Sequence, residues 1–159
     1  MSYINLPPVS IGPLGIVDLT PETGGAAAGV GQIGEITTST VAVATATGVA
    51  ATNNWGNVTS IILTAGVWEI TGIVGFRENG AVLSDHLSVG ISNTADGSAL
   101  STFDFCQYNQ LVSGQDFIGL APPKLINIAA GGTYYLNTRF VFSSGTPQHY
   151  GKITARRYR

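Results

Sequence analysis

"NVTSIILTAGVWEITGIVGF", residues 57–76, is the stretch that decides the fold. Its Val, Ile, Thr, Trp and Phe side chains suit a pleated, half-buried surface and are weak helix formers. Two runs are separated by Ala65-Gly66, which is expected to be a hairpin turn in which glycine supplies a positive φ. Side chains alternate sides along a strand, so Trp68, Ile70, Val74 and Phe76 share one face with Gly72 between them. Glu69 and Thr71 point the other way. The pattern predicts a core strand with one wet or interface face.

The same period continues on both sides of this segment. Upstream, "EITTSTVAVATATGVAA" is rich in Thr and Val and is expected to be strand and loop. Downstream, "RENGAVLSD" carries loop chemistry at Asn79-Gly80, and "HLSVGISNT" is another strand. Residues 95–121 fit either short strands or a long loop. Strands are then expected from Lys124 to Ala129, from Thr133 to Phe142 and from His149 to the end, with turns at Gly131-Gly132 and at 145–147. Many short strands, Gly/Pro turns and no sustained helical period predict an all-β sandwich.

The chain has 159 residues, enough for one core. Only 10% of them are charged and 44% are hydrophobic, a surface economy that fits burial against other chains. All nine acids lie in residues 1–116 with one base, Arg77, whereas residues 117–159 hold six bases and no acid. Such a split suits copies of the chain that pack tail against body. No apolar run reaches the roughly 18–20 residues of a membrane helix, and "MSYINLPPVS" lacks the basic and apolar regions of a secretory signal, so no membrane partner is expected. The single cysteine, Cys106, is expected to pack as a small hydrophobe.

Before the β pattern, residues 3–21 place Pro7, Pro8, Pro13 and Pro21 among isolated apolar side chains. Proline removes backbone donors and favours extended neighbours, which excludes a helix or central strand and leaves an extended arm. Ile4, Leu6, Pro7, Pro8, Ile11, Leu14, Ile16 and Leu19 make it too apolar for a free linker, so these residues are the candidate anchor to a partner. Domain organisation follows: an arm with a Gly/Ala-rich hinge over residues 1–32 and a β-sandwich knob over 33–159. Within "GAAAGVGQIGEI", residues 25–36, Gly29, Gly31 and Gly34 match G-x-G-x-x-G. A dinucleotide site needs a preceding strand, a following helix and an acid about 20 residues on. None of these is present, so the glycines are read as the hinge and no cofactor is expected.

Other constellations carry little chemistry. Ser84, Asp85 and His86 are the residue types of a hydrolase triad, but adjacent residues on an extended chain alternate faces and no G-x-S-x-G elbow occurs. His86, His149, Asp104 and Cys106 show no local metal-ligand spacing. No carboxylate pair is flagged for glycoside hydrolysis. The basic terminus "KITARRYR" divides its charge, with Lys152, Arg156 and Tyr158 on one face and Arg157 and Arg159 on the other, in an acidic chain; nucleic acid is not expected. These arginines are expected to pair with carboxylates, a neighbouring subunit's included.

Residues 61–76, "IILTAGVWEITGIVGF", and 134–159, "YYLNTRFVFSSGTPQHYGKITARRYR", resemble a recurring C-terminal module of tailed-bacteriophage structural proteins. They are also similar to the jelly rolls of tumour necrosis factor and complement heads. The resemblance spans residues 33–159 and implies a jelly-roll β-sandwich in a non-enzymatic, trimeric virion protein. Its motifs do not place the module on the virion; the apolar arm, in place of a fibre shaft, argues for the capsid surface as decoration, cement or head fibre, with the major capsid protein as partner. A tail fibre or tail tip contacting host glycan is the alternative. Tyr135, Arg139, Tyr150, Arg156, Arg157 and Tyr158 are the candidate trimer-interface residues.

Overall fold

In the computed structural model, residues 30–49, 51–102, 104–109 and 115–159 are described. Among these residues nine strands run in the order β1 (Ile36–Val41), β2 (Thr47–Gly48), β3 (Trp55–Leu63), β4 (Gly66–Arg77), β5 (Val82–Ser92), β6 (Phe105–Tyr108), β7 (Phe117–Ile128), β8 (Gly132–Ser144) and β9 (Gln148–Arg157). One 3-10 turn, Val43–Thr45, separates β1 from β2. One sheet has the order β1-β9-β4-β7, with β2 also on β9, and the other has β3-β8-β5-β6. All pairings are antiparallel. The two sheets face each other as a jelly-roll β-sandwich, the expected fold class.

Trp68, Ile70, Val74 and Phe76 of β4 are buried, as the alternation predicts, and meet Leu87, Val89 and Ile91 of β5, Leu136 and Phe140 of β8, and Ile153 of β9. Gly72 completes the inner row because a Cβ there would stand 2.5 Å from Leu136 Cδ1. The core is thus packed from both sheets at the position where β4 has no side chain to give.

Ala65-Gly66 does not form the expected hairpin. β3 pairs with β8, whereas β4 pairs with β7 and β9, so the turn carries the chain from one sheet to the other. Two adjacent apolar runs can pair edge to edge or stack face to face; here both inner faces are large and apolar, and stacking buries both at once. Gly66 takes φ +150 at this corner. The Trp68 indole N–H closes it by donating to Thr64 O at 3.0 Å.

The ambiguous segment 95–121 divides. Phe105–Tyr108 is a short edge strand, and Phe117 begins β7, seven residues before the expected start at Lys124. Pro122 and Pro123 lack the N–H that a strand ladder uses. They are tolerated because β7 ends its sheet and its register with β4 shifts between Ile70 and Gly72. Tyr108 joins the two edge strands across the open side of the sandwich: its hydroxyl donates to Leu120 O at 3.0 Å and accepts from Leu120 N–H at 2.7 Å. β5 also begins earlier than expected, at Val82, with irregular pairing to β8 up to Leu87.

Candidate functional site

The outer face of the β1-β9-β4-β7 sheet is built by the residues that alternate with the core. β9 contributes Tyr150, Lys152, Thr154 and Arg156; β4 contributes Glu69, Thr71, Ile73 and Gly75; β7 contributes Ile118, Leu120 and Leu125. An outer sheet face in water is normally polar. Here Ile73, Ile118, Leu120 and Leu125 are 40%, 61%, 56% and 70% exposed. Tyr150 lies over Gly75, where any Cβ would collide with its ring. Thr40 to Val43, Ile73, Gly75, Ile118 and Tyr150 to Lys152 line a groove of about 260 Å³ with almost wholly apolar walls.

At the opposite end of this sheet the entering chain is fastened to the leaving one. Gly31 and Gly34 have φ of +85 and +87, the left-handed region that favours glycine. They shape a turn in which Gly31 N–H donates to Glu35 Oε2 at 2.6 Å and Gly34 N–H to Arg157 O at 2.9 Å. Arg157 N–H returns a bond to Glu35 O. The two side chains form an ion pair at 3.6 Å, both nearly buried. Arg157 also donates to Thr64 Oγ1 at 2.8 Å and stands 5.5 Å from the Trp68 ring centroid. The carboxylate expected for Arg157 is therefore one from its own chain.

Of the remaining interface candidates, Tyr150, Arg156 and Tyr158 belong to the outer face just described. The Tyr158 hydroxyl donates to Glu69 Oε2 at 2.9 Å, and this carboxylate raises the Tyr158 pKa. Tyr135 and Arg139 lie on the other sheet, on β8. Arg139 is set against Trp55 and Phe105, with ring centroids 5.1 and 5.6 Å from its Cζ, and its Nη2 donates to His86 Nε2 at 3.3 Å. His86 is held in turn by Asp85, Nδ1 to Oδ2 at 3.0 Å. Two members of the triad-like "SDH" thus serve to hold an arginine. The structure brings the six interface candidates together only in part: three on one outer face, Arg157 at the corner, two across the sandwich. The anchor residues Ile4, Leu6, Pro7, Pro8, Ile11, Leu14, Ile16 and Leu19, and Gly29 of the hinge, lie outside the described residues.

Two further polar features complete the picture. His149 bridges the sheets, its Nδ1 2.7 Å from Thr138 Oγ1; burial pushes its pKa down to about 4. Asp104 is held at about 2, chiefly by the Ser101 hydroxyl and N–H and also by Lys124, whose Nζ is 3.1 Å away. Lys124 thereby ties the loop before β6 to β7. Among the described residues no three His, Cys, Asp or Glu side chains gather as a metal site. Of the apolar outer residues, Ile118 and Leu120 precede the expected start at Lys124, where the alternation from Phe117 was the available signal, whereas Leu125 lies within the expected strand.

No family model and no curated protein matches the sequence. Solved structures do match the fold. The structure of infectious bursal disease virus, Gx strain, aligns with a TM-score of 0.51 and 17% identity over 78% of this chain and 32% of that one. The infectious bursal disease virus VP2 subviral particle gives 0.50 and 15% over the same shares. The chain therefore spans about a third of the length of the viral chains it matches, and the likeness is one of fold.

Proposed function

We propose that this chain is a non-enzymatic structural protein of a bacteriophage virion, a trimeric knob held to the capsid surface by its N-terminal arm as a decoration, cement or head-fibre protein. The observation that carries the proposal is the sandwich itself, whose solved neighbours over 78% of the chain are parts of viral particles. The bare apolar outer face supports self-association, since exposed apolar patches on soluble domains mark contact surfaces. Leu120, Leu125, Arg156 and Tyr158 are the residues assigned to it. The arm, residues 1–24, supplies the anchor. Gly31 and Gly34 shape the hydrogen-bonded turn at its base.

Mixing the protein with particles tests the anchor: deletion of residues 1–24 leaves a folded knob that no longer sediments with them. Attachment retained without the arm refutes it. Leu120→Asp and Leu125→Asp should shift the sedimenting species from trimer to monomer; an unchanged trimer refutes the assigned face.

One observation favours the tail-tip reading. Arg139 rests on two aromatic rings with no carboxylate partner among the described residues, an arrangement able to take an acidic glycan. Binding of acidic glycans that is lost in Arg139→Gln, with adsorption to host cells blocked by the purified protein, would move the protein to the tail.

A further inference from the structure

The apolar groove is built at one end of β1, and the arm enters at the other. From Ile36 to Val41, β1 advances about 17 Å at the usual rise per residue. The ten residues 20–29, rich in Gly and Ala, separate Leu19 from Val30. Extended, they reach roughly 33–36 Å, enough to pass the turn at Gly31 and Gly34 and return along the sheet to the groove. The segment that arrives there is Ile16-Val17-Asp18-Leu19, three apolar side chains with one acid.

The groove matches that chemistry. Val41, Val43, Ile73, Ile118 and the Tyr150 ring offer apolar walls, and Lys152 stands at its rim with no carboxylate partner among the described residues. Residues 1–29 hold two acids, Asp18 and Glu22, and no Lys or Arg. A short tether also gives a segment of the same chain a millimolar effective concentration, which a separate partner must match in solution.

We infer that the groove is the seat of this chain's own arm: Val17 and Leu19 fill it, and Asp18 pairs with Lys152. The arm is thereby divided. Ile16 to Leu19 strap it across the outer face, and Ile4 to Leu14 remain as the free anchor. The inference rests on the reading of residues 1–24 as an arm, and it adds where that arm leaves the knob.

Hydrogen exchange on the full chain, read by mass spectrometry over residues 14–20, tests the seat. Wild-type protein should show slowed exchange there. Ile73→Asp with Ile118→Asp should speed it at least tenfold with the thermal midpoint held, because both positions are exposed. Asp18→Lys should loosen the strap likewise, and adding Lys152→Asp should restore it. In a Cys106→Ser background, Val17→Cys with Ile118→Cys should cross-link within single chains at high dilution. Free exchange of residues 14–20 in the wild type overturns the seat, and so does a double charge variant without rescue. Cross-links formed only between chains overturn it in favour of a second copy's arm. Free exchange combined with particle binding that still needs residues 1–24 overturns the seat alone and leaves the anchoring proposal standing.

Discussion

Lowering the pH from 7 to 5 should cost this protein about 2 kcal/mol of folding stability through one side chain, His149. Its ring is 3% exposed, lies between the sheets beside Phe140 and Thr138, and has its pKa pushed down from 6.5 to about 4 by burial. A neutral imidazole satisfies the Thr138 hydroxyl, but a cation there loses its water. Between pH 6.5 and 4 the unfolded chain therefore binds a proton that the folded chain refuses. Stability falls as pH falls across this window, and the full loss, about 3 kcal/mol at roughly 1.4 kcal/mol per unit, is reached below pH 4. At pH 5 about 2 kcal/mol of it is already gone, because the unfolded histidine is almost fully charged and the folded one still neutral.

Urea unfolding followed by Trp fluorescence at pH 7 and pH 5 measures the loss. Comparison with His149→Gln isolates it, since the amide keeps a partner for Thr138 and does not titrate. The low pKa of Asp104 acts in a separate window, from about pH 4 down to 2, where its stabilisation is lost by protonation. The expected result is a wild type that loses about 2 kcal/mol more than His149→Gln between the two pH values. Losses equal within about 0.5 kcal/mol, the usual error for single-site comparisons, would refute the assignment of the low pKa to burial.

Gly72→Ala should destabilise the knob by about 1–3 kcal/mol, the range for overpacking a tight core, because the new methyl meets Leu136 Cδ1 at 2.5 Å; a denaturation midpoint equal to wild type would count against this packing. Glu35→Gln should cost roughly 1.5–3 kcal/mol, the scale of hydrogen bonds to a charged group, by leaving Arg157 without its carboxylate. It should also expose the turn at Gly31 and Gly34 to proteolysis, and unchanged cleavage would show that the ion pair does not hold the base of the arm.

The amino-acid sequence by itself determined the fold class and the inner face. Period-two alternation in residues 66–76 assigns Trp68, Ile70, Val74 and Phe76 to the core with no knowledge of their partners, because a strand's side chains alternate wherever it lies. It also separated Lys152 and Arg156 from Arg157. The fate of Ala65-Gly66 was not legible, since the same turn residues serve a hairpin and a sheet-to-sheet corner, and only the distant β7, β8 and β9 choose between them. The first half of β7, before Lys124, was hidden for a related reason: Pro122 and Pro123 argue locally against a strand, and their tolerance depends on being at the end of a sheet.

The candidate surface was decided last. Exposure of Ile73, Ile118, Leu120 and Leu125 is a property of which side of a two-layer sandwich they occupy, and an apolar residue reads alike in sequence whether its face is covered or bare. Tertiary structure alone spends Arg157 on Glu35 and Arg139 on Trp55, because these contacts join residues far apart in the chain.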